Sequence, residues 1–356
     1  MGDTHEQLLF KLVGEKMSSK LASRQKKGLY LSLSFSLITL IAILYFTTSE
    51  KTWESLQTVQ PAFLFLALLI VLFSWLIEGL RLKYIVGSLE ENRNISLFSC
   101  VKVFLITLFF AGITPMALGE WPALIYYLHR SGVSLAESTA SMVIRTVLTK
   151  FMFMVVAVAL LISYDGRISG GAALNYFFRS ALGFLVLSSF IYFIVLLKPE
   201  IIWVGLRTLK RVPFLRRLAA SNRLKDLVKR LREEAEQFQL SLGRLGRSNR
   251  KRLIIPALLS FGYWFTYFLI APVLLVGLGL DFEFWRILIW QFLIVLIIVY
   301  TPVPGGSGFV EISLAAFFAA YVPAHIIGIF VVAWRFFTYY INLIFGGILV
   351  TGRTPQ

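Results

Sequence analysis

The stretch Thr301-Pro302-Val303-Pro304-Gly305-Gly306-Ser307-Gly308-Phe309-Val310-Glu311 sits inside an otherwise apolar run over residues 284–322. Proline lacks a backbone donor and disfavours helix in the residue before it. Glycine permits positive φ and close approach of other groups. The stretch therefore predicts a helix that stops, turns and starts again. A second stretch, Thr114-Pro115-Met116-Ala117-Leu118-Gly119-Glu120, interrupts the run over 97–130 in the same way. Each has a Thr-Pro step, at least one glycine and then a lone glutamate. Each is followed by an arginine in apolar sequence: Arg145 comes 25 residues after Glu120, and Arg335 comes 24 after Glu311. Broken hydrophobic segments at corresponding places in two halves point to a transport site near the bilayer midplane.

Composition agrees with that class. Of 356 residues, 58% are hydrophobic and 15% charged, and the mean hydropathy is +0.77. Several apolar runs reach the roughly 20 residues that cross a bilayer as helix. The single cysteine, Cys100, excludes an intramolecular disulfide, and His5, His129 and His325 are too far apart for a zinc motif. No metal and no cofactor are expected. The net charge of +16 is assigned to cytoplasmic loops facing anionic headgroups, and no nucleic-acid partner is expected.

Along the chain, residues 1–27 carry six Lys/Arg against three acids and read as a basic cytoplasmic amphipathic segment. Residues 28–197 form a first membrane half, with spans at 28–48, 62–80, 139–163 and 176–197 and the break inside 97–130. Residues 198–252 hold 16 Lys/Arg and five acids, with apolar residues at helical spacing, and read as a basic cytoplasmic loop with an amphipathic helix. Residues 253–356 form the second half, with spans at 253–277 and 324–350 and the break inside 284–322.

Charge decides the topology. The basic N-terminus and loop 198–252 belong inside, whereas loops 49–61 and 278–283 suit the outside. A single crossing by 97–113 would push the basic loop outside. The conflict disappears if 97–130 enters from the cytoplasm and returns, and 284–322 enters and returns from the opposite side. The expected fold is thus an all-α polytopic membrane protein, an inverted-topology repeat of about six full transmembrane helices and two opposed re-entrant helical hairpins. Irregular backbone at membrane depth survives only when buried in protein or lining a wet cavity. The two turns are therefore expected to meet.

The candidate substrate-binding residues are Thr114, Pro115, Gly119, Glu120, Arg145, Lys150, Thr301, Pro302, Gly305, Gly306, Gly308, Glu311 and Arg335. A glycine-rich turn opening a helix aims free N–H groups at an anion. Glu120 and Glu311 near helix starts can equally cap those helices. Yet an ionisable group inside a membrane is functional by default. Arg145 and Arg335 are natural partners, each able to exchange a glutamate for a headgroup phosphate. Lys150 is placed in the cavity of Arg145. His129 and His325 read as interfacial, Trp53, Trp121, Trp203 and Trp285 as a pool of interfacial anchors, and Asn342 as a helix-to-helix hydrogen bonder.

At these motifs the chain resembles the flippase-like domain family, which includes the membrane region of lysylphosphatidylglycerol synthases, the multiple peptide resistance factors. The resemblance rests on Gly112-Ile113-Thr114-Pro115, Gly119-Glu120, the Arg145 segment and the 301–311 stretch, and covers about 28–350. Its Pro-Gly-Gly-x-Gly-x-x-Glu element is the most specific part. The resemblance implies lipid translocation between leaflets. The soluble domain that transfers lysine from tRNA is not expected in these 356 residues, so aminoacyltransferase activity is not carried over.

The reading is therefore a transporter, not an enzyme, moving a phospholipid or polyprenyl-phosphate type of lipid, or another anionic amphiphile. It is expected as a multi-pass protein of the cell's inner membrane with both termini cytoplasmic. Its partners are the bilayer and an anionic lipid or lipid-linked phosphate, and a homo-oligomer is compatible. Two rival readings are a membrane-embedded transferase acting on a lipid phosphate and a membrane regulatory or binding protein.

Overall fold

The computed structural model describes residues 36–57, 60–89, 95–163, 172–198 and 250–352, with residues 30, 34, 233, 236, 239, 240 and 243. The basic segment 1–27 and nearly all of the loop 198–252 lie outside the described residues. Among the described residues every regular element is helical. Helices α1 (Ser36–Thr47), α2 (Glu50–Gln57), α3 (Pro61–Leu89), α4 (Leu97–Gly112), α5 (Glu120–Arg130), α6 (Leu135–Ser163) and α7 (Ala172–Leu197) come first. Then follow α8 (Ile254–Phe268), α9 (Ile270–Gly277), α10 (Phe284–Tyr300), α11 (Phe309–Phe318), α12 (Ala324–Arg335) and α13 (Ile341–Thr351). Four stretches among the described residues are long and apolar enough to cross a membrane: Pro61–Leu89, Leu135–Ile162, Lys251–Gly277 and Ala324–Thr351.

Helix α3 shows how these helices sort their residues. At 29 residues it is ~44 Å long, more than the ~30 Å hydrocarbon core. Phe65, Leu69, Leu72, Phe73 and Leu76 are exposed along one stripe. Ala67, Val71, Ser74, Glu78, Arg81 and Ile85 are buried along another. Both stripes keep helical spacing, but the apolar face is outward and the polar residues are inward. That is the reverse of a water-soluble helix, and it suits a helix solvated by lipid. The sequence reading ended this span at residue 80. The helix continues to Leu89 because Leu82, Ile85 and Val86 keep an apolar stripe to bury beyond it.

The chain divides into two compact units. One comprises the described residues up to Trp75, Lys102–Leu124 and those from Trp264 onward. In it α10 packs on α11, so the chain folds back at the second break. There too the first break, at Pro115–Ala117, touches both α10 and the second break at Pro304–Gly306. The last span is interrupted by a π-helical turn, Phe336–Tyr340, between α12 and α13. Such π turns concentrate at functional sites. Asn342 in α13 accepts the Trp75 indole N–H at 2.9 Å. The other unit comprises Leu76–Val101 and the described part of Ile125–Tyr263. In it α6 packs on α7, and Ile85 and Ile144 form a core with Leu89, Leu148 and Leu253 around them.

Candidate functional site

The two breaks begin with the same backbone and then diverge, since Leu118 is helical (ψ -20) where Ser307 is extended (ψ 137), and Gly308 (φ 87) but not Gly119 has a positive φ. In each, a proline starts a short 3-10 turn, and the next two residues lie in the left-handed region: Met116 (φ 53) and Ala117 (φ 54) in the first, Gly305 (φ 63) and Gly306 (φ 65) in the second. Gly119 and Gly308 then precede the first residues of α5 and α11. The match runs from Pro115 to Pro304 and from Gly119 to Gly308. In that register the glutamates are not equivalent. Glu120 opens its helix, whereas Glu311 is the third residue of its own. Glycine takes positive φ freely, but Met116 and Ala117 take it at a cost.

A helix that stops leaves carbonyls without partners, and one that starts leaves N–H groups without partners. Side chains answer for both breaks. In the first, the Thr114 hydroxyl donates to the Phe110 carbonyl at 2.7 Å and accepts the Gly119 N–H at 2.8 Å. A Cβ on Gly119 would lie 2.6 Å from that same Phe110 carbonyl, so the close approach requires glycine. In the second, the Glu311 carboxylate accepts the Gly308 N–H at 2.8 Å and the Ser36 hydroxyl at 2.6 Å. Ser36 also shares a hydrogen bond with the Tyr340 hydroxyl.

Arg335 closes the arrangement. Its Nε lies 2.9 Å from Glu311 Oε1, and both residues are buried. Its two terminal nitrogens donate to the Gly305 carbonyl, each at 3.2 Å, and one reaches Ser307 Oγ at 3.3 Å. Its guanidinium carbon sits 4.3 Å from the centre of the Tyr339 ring. The ring's hydroxyl donates to the carbonyl of Gly112, the last residue of α4, at 3.1 Å. A Cβ on Gly305 would meet that hydroxyl at 2.5 Å, so Gly305 is needed for space as well as for its φ. One tyrosine thus packs against a glycine beside each break and against the arginine. The result is a buried charge pair seated on interrupted backbone, with a carboxylate where a helix start favours an anion.

A second buried charged cluster lies in the other unit. Arg145 Nε is 2.6 Å from Glu78 Oε1. Arg81 donates to both Glu78 oxygens at 3.2 and 3.1 Å, to the Arg145 carbonyl at 2.6 Å and to Thr149 Oγ1 at 2.7 Å. All three charged residues are buried.

The sequence candidates therefore fall into groups. Gly305, Gly308, Glu311 and Arg335 are in direct contact, and Gly306 and buried Thr301 belong to the same break. Pro302 is exposed, as is Pro115. Thr114, Pro115 and Gly119 shape the first break. Glu120 opens α5 and is half-buried. Lys150 is exposed, with Nζ 4.1 Å from the centre of the Tyr192 ring. Five residues on a helix turn it by about 140° from Arg145, which is why the two do not share a face. Sequence reasoning missed Ser36, Glu78, Arg81, Tyr339 and Tyr340. Glu78 and Arg81 carried a usable signal, two charges at i,i+3 in an apolar run. The other three are polar residues of kinds common in membrane helices.

Comparison with known proteins places the chain among membrane proteins. A family model described as the lysylphosphatidylglycerol synthase TM region matches residues 29–346. A UPF0104 membrane protein of Archaeoglobus fulgidus is 27% identical over 321 residues, covering 88% of this chain and 93% of the relative. A second UPF0104 membrane protein, from Pyrococcus horikoshii, is 24% identical over 333 residues, covering 90% and 96%. No solved structure matches.

Proposed function

Since the chain belongs to the family of the lysylphosphatidylglycerol synthase TM region, we propose that it moves an anionic lipid between the leaflets of the cell's inner membrane, leaving the lipid chemically unchanged. The substrate is of phospholipid or polyprenyl-phosphate type, and its headgroup binds between the two breaks. One observation carries this reading. Glu311 sits at the start of α11 on the Gly308 N–H, the Ser36 hydroxyl and Arg335. Those are the contacts that a phosphate oxygen would make there. The protein's own carboxylate stands in for the ligand at rest.

Exchange follows from charge. A headgroup phosphate takes Arg335 and the glycine-rich turn, and Glu311 leaves. A carboxylate left buried without its cation costs about 3–5 kcal/mol, so the loaded site has to open towards water. Opening first to one side and then to the other is alternating access, which an inverted repeat with opposed re-entrant hairpins supplies. In this reading both termini are cytoplasmic.

The test is movement of a labelled anionic phospholipid in proteoliposomes. The unchanged protein is expected to speed exchange between leaflets. Glu311→Gln and Arg335→Gln are expected to slow it at least tenfold while still eluting as folded protein. Equal rates in all three would reject the site.

A further inference from the structure

A half-enclosed cavity of about 590 Å³ lies in the unit that holds both breaks. Ile329, Phe330, Ala333 and Phe337 line it at the spacing of one helix face, and Arg335 does not. Leu44 of α1, Phe63 of α3 and Leu274 of α9 supply the other walls. The cavity is thus separate from the headgroup site. Among the described residues, Gln60 is the one polar side chain on its wall. A buried water needs about two to four polar partners, so water does not fill this space. An empty void would forfeit the dispersion contacts of every atom lining it.

The cavity's depth identifies its occupant. Gln60 immediately precedes α3, and Leu278 immediately follows α9, so one end lies where both helices end. The Gln60 N–H donates to the Gly277 carbonyl at 3.2 Å and ties those helix ends together. The other end reaches Phe336 and Phe337, in the turn that follows α12. Along the last span the lining runs from Ile329 to Phe337, ~12 Å, and Phe336 lies ~18 Å from the helix start at Ala324, about the middle of a bilayer's ~30 Å core. An apolar slot running from a helix-end level to mid-membrane has the depth of one leaflet. We infer that it holds the hydrocarbon end of a membrane lipid, whose polar end lies at Gln60. The inference requires a membrane-embedded chain and not the transport reading.

A photoreactive phospholipid tests it, with a diazirine in its acyl chain and the full chain reconstituted in vesicles of otherwise plain phospholipid. Labelled peptides are mapped by mass spectrometry. Peptides with Leu274–Leu278 and Ile329–Phe337 are expected to carry at least threefold more label than Ile344–Ile348, whose exposed isoleucines face plain lipid. Ala333→Trp fills the slot and is expected to cut slot labelling at least threefold while Ile344–Ile348 is unchanged. Ala333→Leu, a smaller change, is expected to give an intermediate loss should the tryptophan variant fail to fold. Slot labelling no higher than the reference would overturn the inference. So would labelling indifferent to both substitutions, or a crosslink showing the slot filled by another segment of this chain or a second copy.

Discussion

The Tyr339 hydroxyl donates to the Gly112 carbonyl at 3.1 Å, and so fastens the last span to the end of the helix that runs into the first break. The same ring lies under the Arg335 guanidinium. Its two roles are separable. Tyr339→Phe removes the hydrogen bond and keeps the ring, and is expected to cost about 1 kcal/mol. Tyr339→Ala also removes the ring and is expected to cost about 3–5 kcal/mol. Thermal unfolding in detergent reads the difference. If the phenylalanine variant melts with the unchanged protein, the hydroxyl is not a fastening.

The breaks make opposite predictions for glycine. Met116 holds a left-handed backbone (φ 53, ψ 26) that costs a non-glycine residue roughly 1–2 kcal/mol. Met116→Gly is therefore expected to raise the melting temperature, although it removes side-chain atoms. Gly305→Ala sets a Cβ against Tyr339 at a φ of +63° and is expected to cost roughly 2 kcal/mol or more. A Met116→Gly variant that melts lower would show that the first break does not carry this strain.

That contrast also shows what was readable in the chain. Prolines and glycines announce a break, so both breaks could be located from residue types alone. The lone charges Glu311 and Arg335 stood out against apolar neighbours, and the structure pairs them. The register of the two breaks was not readable by matching glutamates, because Glu120 and Glu311 occupy different positions of their helices. It is set by proline and by two left-handed residues, and the first break has no glycine at those two positions to reveal them. Tyr339 was invisible because a tyrosine in an apolar helix has many ordinary uses. Glu78 and Arg81 were passed over for a geometric reason. A span ended at residue 80 sets them at its end, but on a helix reaching Leu89 they face inward.

The Glu311–Arg335 pair is expected to behave as one unit. Removing either charge leaves the other buried, at about 3–5 kcal/mol. Glu311→Gln keeps atoms that can hold the Gly308 N–H, so its loss reports the charge more than the cap. The double variant Glu311→Gln/Arg335→Gln is expected to lose at least ~1 kcal/mol less than the two single losses combined, since it strands no charge. A double-mutant cycle by denaturation in detergent checks this. Strict additivity would mean that the two side chains do not interact across their 2.9 Å contact.

Glu78 is the carboxylate bridging Arg81 and Arg145, so it should matter more than its position near the end of the expected span suggests. Its oxygens receive Arg145 at 2.6 Å and Arg81 at 3.1 and 3.2 Å, out of contact with solvent. Glu78→Gln brings two guanidinium groups together without the anion between them. The expected cost is about 3–5 kcal/mol, as for a broken buried pair. Adding Arg81→Met to Glu78→Gln removes one of the two facing cations and leaves Arg145 as the single charge there, so it is expected to recover part of the loss. Both are read as melting temperatures of purified protein, beside the conservative Glu78→Asp. Its shorter side chain keeps the charge and is expected to fall between Glu78→Gln and the unchanged chain. A Glu78→Gln variant as stable as the original would show that the two arginines do not depend on this carboxylate.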